Sequence, residues 1–228
     1  MSAVATIAEN PITTAQSKQA IQDNQPEILT SVYQENTNMV IWQRTLNSQL
    51  QQAVDEILLN RPTLKLSMVV APQDTRAAIK EALCTSPSPA TDILSDDITL
   101  LVDMFCCLFE LNHAGLRITA LDRAMCPKFH VDKVPCRLVS TYKGIATEWL
   151  PHHLANRSRL GAASIGKSDE QSGLYKHQTD IKQMTAGDVA LLKGELWQNN
   201  EGAGLIHRSP QITSDNRRLI LTLDFIND

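Results

Sequence analysis

Cys126-Pro127-Lys128-Phe129-His130-Val131-Asp132-Lys133-Val134-Pro135-Cys136-Arg137-Leu138-Val139-Ser140-Thr141-Tyr142-Lys143-Gly144 is the stretch on which the reading of the fold turns. Two short runs, 128–132 and 136–142, are separated by Pro135 and closed by Gly144, the punctuation of successive β-strands. In an extended backbone alternate side chains share a face, so His130 and Asp132 project together. Working outward, similar runs occur at 116–123, 146–150, 180–185, 188–192, 204–208 and 217–225. Ala186-Gly187-Asp188, Lys193-Gly194 and Asn199-Asn200-Glu201-Gly202 divide them and offer the positive φ that tight turns need.

The N-terminal half has a different period. Leu46, Leu50, Val54, Ile57 and Leu58 recur at helical spacing until Pro62, and Leu64, Leu66, Met68 and Val70 then alternate as in a strand with one buried face. A short helix is expected over 74–83, and residues 84–91, with Pro87 and Pro89, are expected as a loop. Leu94, Ile98, Leu101, Phe105 and Leu108 form the stripe of a core helix, which Gly115 is expected to cap. Residues 1–25 lack apolar periodicity and are expected as a loose arm, followed by a single domain over 26–228: mainly helical over 26–115, then a β-barrel over 116–228. The strands of 116–228 suit a double-stranded β-helix, a jelly-roll or cupin-like barrel, so the expected class is α+β with N-terminal helices packed on the barrel. Residues 151–172, rich in His, Arg, Ser and Gly, are expected as a connection that covers a pocket.

Composition removes several function classes. The formal charge of −4 gives no general attraction to phosphate backbones, so nucleic acid is not an expected partner. No run approaches the roughly 18 apolar residues of a membrane span, and the opening MSAVATIAEN lacks the pattern of a secretion signal, so a cytoplasmic location is expected. Five cysteines without framework spacing agree with a reducing compartment. Arg117, Arg123, Lys128, Lys133 and Arg137 gather around the His-x-Asp pair, which suits a small or anionic substrate as well as a solvated rim. The oligomeric state is not legible.

The chemistry rests on a spacing. His130 and Asp132 need a third ligand from elsewhere, and Gly204-Leu205-Ile206-His207 supplies one in the penultimate strand. Two imidazoles and a carboxylate on one face of a metal leave three positions open, the arrangement of non-haem Fe(II) oxygenases. Arg217 and Arg218 open the last strand, where a guanidinium can hold a carboxylate bidentately. Alternation groups Arg217 with Leu219, Leu221 and Leu223, and Arg218 with Ile220, Thr222 and Asp224. The second face is the more polar, which favours Arg218 as the clamp and keeps Arg217 as its rival. Glu148 is read either as a partner orienting an imidazole or as a solvated strand end, and Trp149 and Trp197 as core.

This order resembles the Fe(II)/2-oxoglutarate-dependent dioxygenase superfamily. More closely, the blocks 126–132, 137–144, Thr147-Glu148-Trp149-Leu150, 187–194 and His207-Arg208-Ser209-Pro210 resemble the DUF1826 family of bacterial proteins, over most of the chain from about residue 40. That family carries no established activity. The superfamily resemblance implies His130, Asp132 and His207 as catalytic iron ligands, and Arg218 or Arg217 as the anchor of 2-oxoglutarate. Tyr142 and Thr141 are read either as cosubstrate contacts or as packed strand residues. A rival set, Cys126, His130, Asp132 and Cys136, suits Zn²⁺ and would make the chain a zinc-binding or metal-homeostasis factor, although it lacks a compact CxxC knuckle. A third reading keeps the barrel as a binding module without turnover. A hydrolase is not expected, because no Gly-x-Ser-x-Gly elbow occurs.

Overall fold

A computed structural model describes residues 17–83, 88–212 and 217–226. The strands are β1 (Gln19–Asp23), β2 (Thr37–Trp42), β3 (Lys65–Val70), β4 (Ala114–Leu121), β5 (Cys136–Lys143), β6 (Glu148–Leu150), β7 (Lys182–Gln183), β8 (Val189–Lys193), β9 (Ile206–Arg208) and β10 (Arg218–Asp224). They form a seven-stranded sheet in the order β1-β2-β8-β5-β10-β4-β3 and a three-stranded sheet in the order β7-β6-β9. The larger sheet is mixed, since β1 pairs with β2 in parallel and β2 with β8 antiparallel. The helices are α1 (Ser48–Asn60), α2 (Pro72–Leu83), α3 (Pro89–Phe109) and the short α4 (Asp169–Ser172). The architecture is thus α+β, and the ladders of the described residues run in two separate sheets rather than one closed barrel.

Three apolar clusters define the layers. In the first, the helix stripes (Leu50, Val54, Ile57; Leu94, Ile98, Leu101, Phe105) pack on Leu116, Ile118, Leu138, Leu219, Leu221 and Leu223 of the larger sheet. In the second, Met39, Ile41, Val139, Ala190 and Leu192 on the opposite face meet Ala146, Met184 and Leu205, with Trp149 and Ile220 packed against them. The third lies around the smaller sheet and its flanking chain: Phe129, Leu150, Leu174, Tyr175 and Ile206. Because β2, β5, β8 and β10 are covered on both faces, the space between the sheets is where polar inward residues become conspicuous. No helix among the described residues is long and apolar enough to cross a membrane.

Local chemistry sets the helix ends. Asn47 caps α1 by accepting the Leu50 N–H at 2.8 Å, and Ser88 caps α3 by accepting the Ala90 N–H at 3.1 Å. The expected cap at Gly115 is corrected: α3 ends at Glu110, a non-glycine in the left-handed region at φ 54°, and Gly115 lies inside β4 opposite Asp224. Gly187 has φ 100°, as its turn requires. Gly194 is needed for another reason, since a Cβ there would lie 2.0 Å from the Val134 carbonyl oxygen and 2.6 Å from that of Asp132.

Three other expectations change. Of the expected arm, residues 1–16 lie outside the described residues, but 19–23 form an edge strand, because their backbone finds the free edge of β2. Of the expected loop at 84–91, residues 84–87 lie outside the described residues, and Pro89 already starts α3. The expected strand 128–132 shrinks to a single bridge at His130, with Pro127 and Pro135 unable to donate to a longer ladder. β2 is an element that periodicity did not reveal. Its residues 37–41 are all buried, so it shows no polar alternation.

Candidate metal centre

His130 and His207 meet because their backbones face each other. His130 N–H donates to the His207 carbonyl at 3.0 Å, and His207 N–H returns the bond to His130, also at 3.0 Å. Directly opposed residues of an antiparallel pair send their side chains the same way, which brings the two imidazole centroids to 4.6 Å. Two residues past His130, Asp132 completes the cluster: its carboxylate oxygens lie 3.6 Å from His130 Nε2 and 3.4 Å from His207 Nε2. One ligand atom from each of the three lies within 4.8 Å of the others.

The hydrogen bonds behind the cluster fix its chemistry. His130 Nδ1 lies 2.9 Å from the Lys128 carbonyl and His207 Nδ1 3.2 Å from that of Leu205. A carbonyl only accepts, so Nδ1 donates in both rings and each Nε2 presents its lone pair toward Asp132. Burial and the neighbouring His207 lower the His130 pKa, outweighing the Lys128 carbonyl and Asp132, which favours the neutral, ligating form. Burial alone would raise the Asp132 carboxyl, but the neighbouring His207 and the charge of Arg137 prevail and hold it at about 2.

Arg137 was read from sequence only as part of a basic cluster, and it has a more specific place. It donates to Asp132 at 2.6 Å and to Asp224 at 2.7 and 3.2 Å. Arg117 bonds the same Asp224 at 2.8 Å. The β5–β10 register, which sets Arg137 opposite Asp224, makes this bridge. The loop after β8 braces Asp132 from behind: Glu195 N–H donates to the Asp132 carbonyl at 3.0 Å and Leu196 N–H to that of Val134 at 3.2 Å.

A cavity of about 120 Å³ adjoins the cluster, lined by His130, His207, Arg218, Thr147, Val139 and Ile220 among others. Arg218 is fully buried. Its guanidinium donates to Thr147 Oγ1 at 2.8 Å, Thr141 Oγ1 at 3.1 Å and Ser209 Oγ at 3.1 Å. Its Nε finds no partner, and it pairs with no carboxylate of the described residues. Desolvation alone lowers its pKa, to about 10. Arg217 points elsewhere, donating to the Pro62 carbonyl at 2.5 Å. The alternation of β10 separates the two arginines, with Leu219, Leu221 and Leu223 facing the helices.

The other sequence-derived candidates fall as follows. Thr141 and Tyr142 are neighbours on β5, so they take opposite faces: Thr141 reaches Arg218, whereas the Tyr142 hydroxyl donates to Asp97 of α3 at 2.6 Å. The reading of both as cosubstrate contacts is therefore corrected for Tyr142. Glu148 accepts from Arg208 at 2.6 Å on the outer side of the small sheet and orients no imidazole. Cys136 faces the helices, with burial pushing its thiol far up, so the four-residue zinc set is not assembled. Among the described residues, the group able to hold an ion is His130, Asp132 and His207. The connection after β6 packs outside the small sheet through Leu160, Leu174 and Tyr175, and it contributes no lining residue to the cavity. From there Asp169 accepts the Phe129 N–H at 3.1 Å, steadying the segment that carries His130.

The fold is similar to that of a solved dioxygenase for auxin oxidation from rice. The TM-score is 0.52 at 11% identity, covering 92% of this chain and 83% of that one. A prolyl-4-hydroxylase from Pseudomonas putida aligns at TM-score 0.46 and 10% identity, over 89% of this chain and 98% of the other. The Arabidopsis thaliana dioxygenase for auxin oxidation 1 in complex with 2-oxoglutarate aligns at 0.47 and 9%, over 92% and 93%. No curated protein matches by sequence. Residues 23–224 match the family described as "Protein of unknown function (DUF1826)", and with nearly the whole described fold inside that match, the chain belongs to the DUF1826 family.

Proposed function

We propose that this chain is a non-haem Fe(II)/2-oxoglutarate-dependent oxygenase, with its two sheets forming the double-stranded β-helix of that superfamily. The observation that carries the reading is Arg218. A fully buried guanidinium without a carboxylate faces the same small cavity as a His-Asp-His cluster. A buried unpaired cation is costly, so a site that keeps one is adapted to an anion. His130, Asp132 and His207 would hold the metal, whose donor set of two neutral imidazoles and one carboxylate suits Fe(II). Arg218, with Thr141, Thr147 and Ser209 around it, would hold the far carboxylate of 2-oxoglutarate.

Held by His130, Asp132 and His207, Fe(II) with 2-oxoglutarate and O₂ would supply oxidising power, the cosubstrate being converted to succinate and CO₂ as it takes up one oxygen atom and leaves the other for the substrate. The residues do the rest. Arg137 keeps the Asp132 carboxylate ionised and aimed at the imidazoles, and the Lys128 and Leu205 carbonyls fix the tautomer of each neutral ring, with Nδ1–H donating and the Nε2 lone pair turned to the metal position. Val139, Leu192 and Ile220 give the cavity an apolar wall that limits water. The substrate class that suits the rim is a small or anionic molecule, since Arg117 stands there about half exposed.

The test is an anaerobic Fe(II) titration with and without 2-oxoglutarate, following the weak visible charge-transfer absorption of the chelate. The expected result is one Fe(II) per chain and absorption only with both components, lost in His130→Ala, Asp132→Ala and His207→Ala variants that still unfold cooperatively. Stoichiometric Fe(II) in the His207→Ala variant would falsify the assignment.

A further inference from the structure

A second cavity, of about 540 Å³, lies where the end of β8 meets the C-terminal end of α3. It is lined by Lys18, Tyr33, Phe109, Lys193, Trp197 and Asn200 among others, and shares no lining residue with the cavity at the metal cluster. Its cations are unusually enclosed. Lys193 is 2% exposed and Lys18 7%, whereas a solvated lysine buries its stem and keeps the ammonium in water. An ammonium has three N–H donors. For Lys193 one acceptor is in place, the Gln34 carbonyl at 2.9 Å, and for Lys18 one, the Glu35 carbonyl at 2.6 Å.

Neither ammonium forms an ion pair with a carboxylate of the described residues; Lys18 lowers the pKa of Lys193 as a like charge, and Glu35, which also lines the cavity, and the Trp197 ring 4.6 Å from the Lys193 ammonium offset part of that cost. Asn200 is 2% exposed; its amide donates to the Gly194 carbonyl at 2.9 Å, while its Oδ1 has no partner. Beside these polar atoms stands an apolar wall. The rings of Tyr33 and Phe109 lie 5.7 and 6.0 Å from that of Trp197, with Tyr33 57% exposed at the mouth.

We propose that this cavity binds a small aromatic carboxylate, with its anionic group between Lys193 and Lys18, its ring against the Tyr33–Phe109–Trp197 wall, and a donor on the ring meeting Asn200 Oδ1. Each feature of that ligand answers a need: negative charge for two enclosed cations that face a single carboxylate, Glu35, a flat apolar body for a partly exposed aromatic wall, and an N–H or O–H for a buried carbonyl. The site is independent of any metal.

The test is isothermal titration of the full-length chain with 4-hydroxybenzoate, which carries all three features. Neutral 4-hydroxybenzamide and inorganic phosphate are the comparison probes. The expected result is saturable one-to-one binding of the benzoate, at least tenfold weaker binding of both comparison probes, and at least tenfold loss in Lys193→Met and in Lys18→Met. An Arg218→Met variant, altered in the other cavity, should bind as the native chain does. Lys18 lies at the margin of the fold, so its variant reports on the site even if Lys193→Met fails to fold. The proposal is overturned by absence of saturable binding to the native chain, by equal binding of the benzamide or of phosphate, by undiminished binding in the Lys18→Met variant, or by loss in Arg218→Met.

Discussion

Replacing Arg218 with methionine separates a ligand-binding cation from a structural one. The methionine keeps most of the unbranched stem and removes the charge. In the folded chain desolvation lowers the guanidinium from its ordinary value to about 10, which at about 1.4 kcal/mol per tenfold change in proton affinity corresponds to a penalty of about 3 kcal/mol for holding the cation at neutral pH. The substitution relieves that penalty and also leaves the hydroxyls of Thr141, Thr147 and Ser209 without their donor, at about 1 kcal/mol each. The two nearly cancel, so the unliganded variant should unfold within about 1 kcal/mol of the native chain in urea, where breaking a buried ion pair costs about 3–5 kcal/mol. The ligand response should differ sharply. With Fe(II) under anaerobic conditions, 2-oxoglutarate at about a hundred times its dissociation constant should add about 2.7 kcal/mol to the native chain and nothing to the variant at the same concentration. A loss of more than about 3 kcal/mol without ligand would show that the guanidinium is a structural tie. Equal stabilisation of both chains by 2-oxoglutarate would refute its role as the clamp.

Three further outcomes are expected. Tyr142→Phe should cost about 2 kcal/mol in urea unfolding, the range for a hydrogen bond to an ionised carboxylate, and should leave 2-oxoglutarate affinity unchanged, because the hydroxyl serves Asp97 rather than the cavity. Glu110→Gly should stabilise the chain by about 0.5–1 kcal/mol by relieving the left-handed cap of α3; a destabilised variant would mean that the Glu110 side chain matters more than its backbone. Lys193 carries a pH signature: burial first, then Lys18, bring its ammonium from 10.5 to about 8, against opposing effects of Cys136 and Glu35. The folded chain therefore releases this proton before the unfolded chain does. Its contribution is a fixed penalty below pH 8 that fades as pH rises toward 10.5, so native stability should rise across that window relative to Lys193→Met, as measured by urea midpoints.

Much of the site's vocabulary was legible locally, because strand alternation is a property of the backbone alone. It is enough to set His130 and Asp132 on one face, to part Arg218 from Arg217, and to predict most of the strands between 114 and 224 within a few residues. The same rule, applied to Thr141 and Tyr142, already forbids both from facing one cavity. The largely buried β2 and the single-residue bridge at His130 carry little local signal: the first is covered on both faces, and the second depends on a partner far along the chain.

What the sequence by itself determined was therefore which residues lie side by side on a segment, together with the family resemblance carried by its motif blocks. Only the tertiary structure decided which segments oppose one another: His130 against His207, Arg137 against Asp224, and the loop after β8 against Asp132. It also decided that residues 19–23 complete a sheet edge and that the connection after β6 braces the small sheet from outside. The physical reason is range. Alternation and capping act over a few neighbouring residues, whereas strand pairing and the enclosure of charges such as Arg218 and Lys193 depend on contacts between distant parts of the chain, which exist only once the layers have packed.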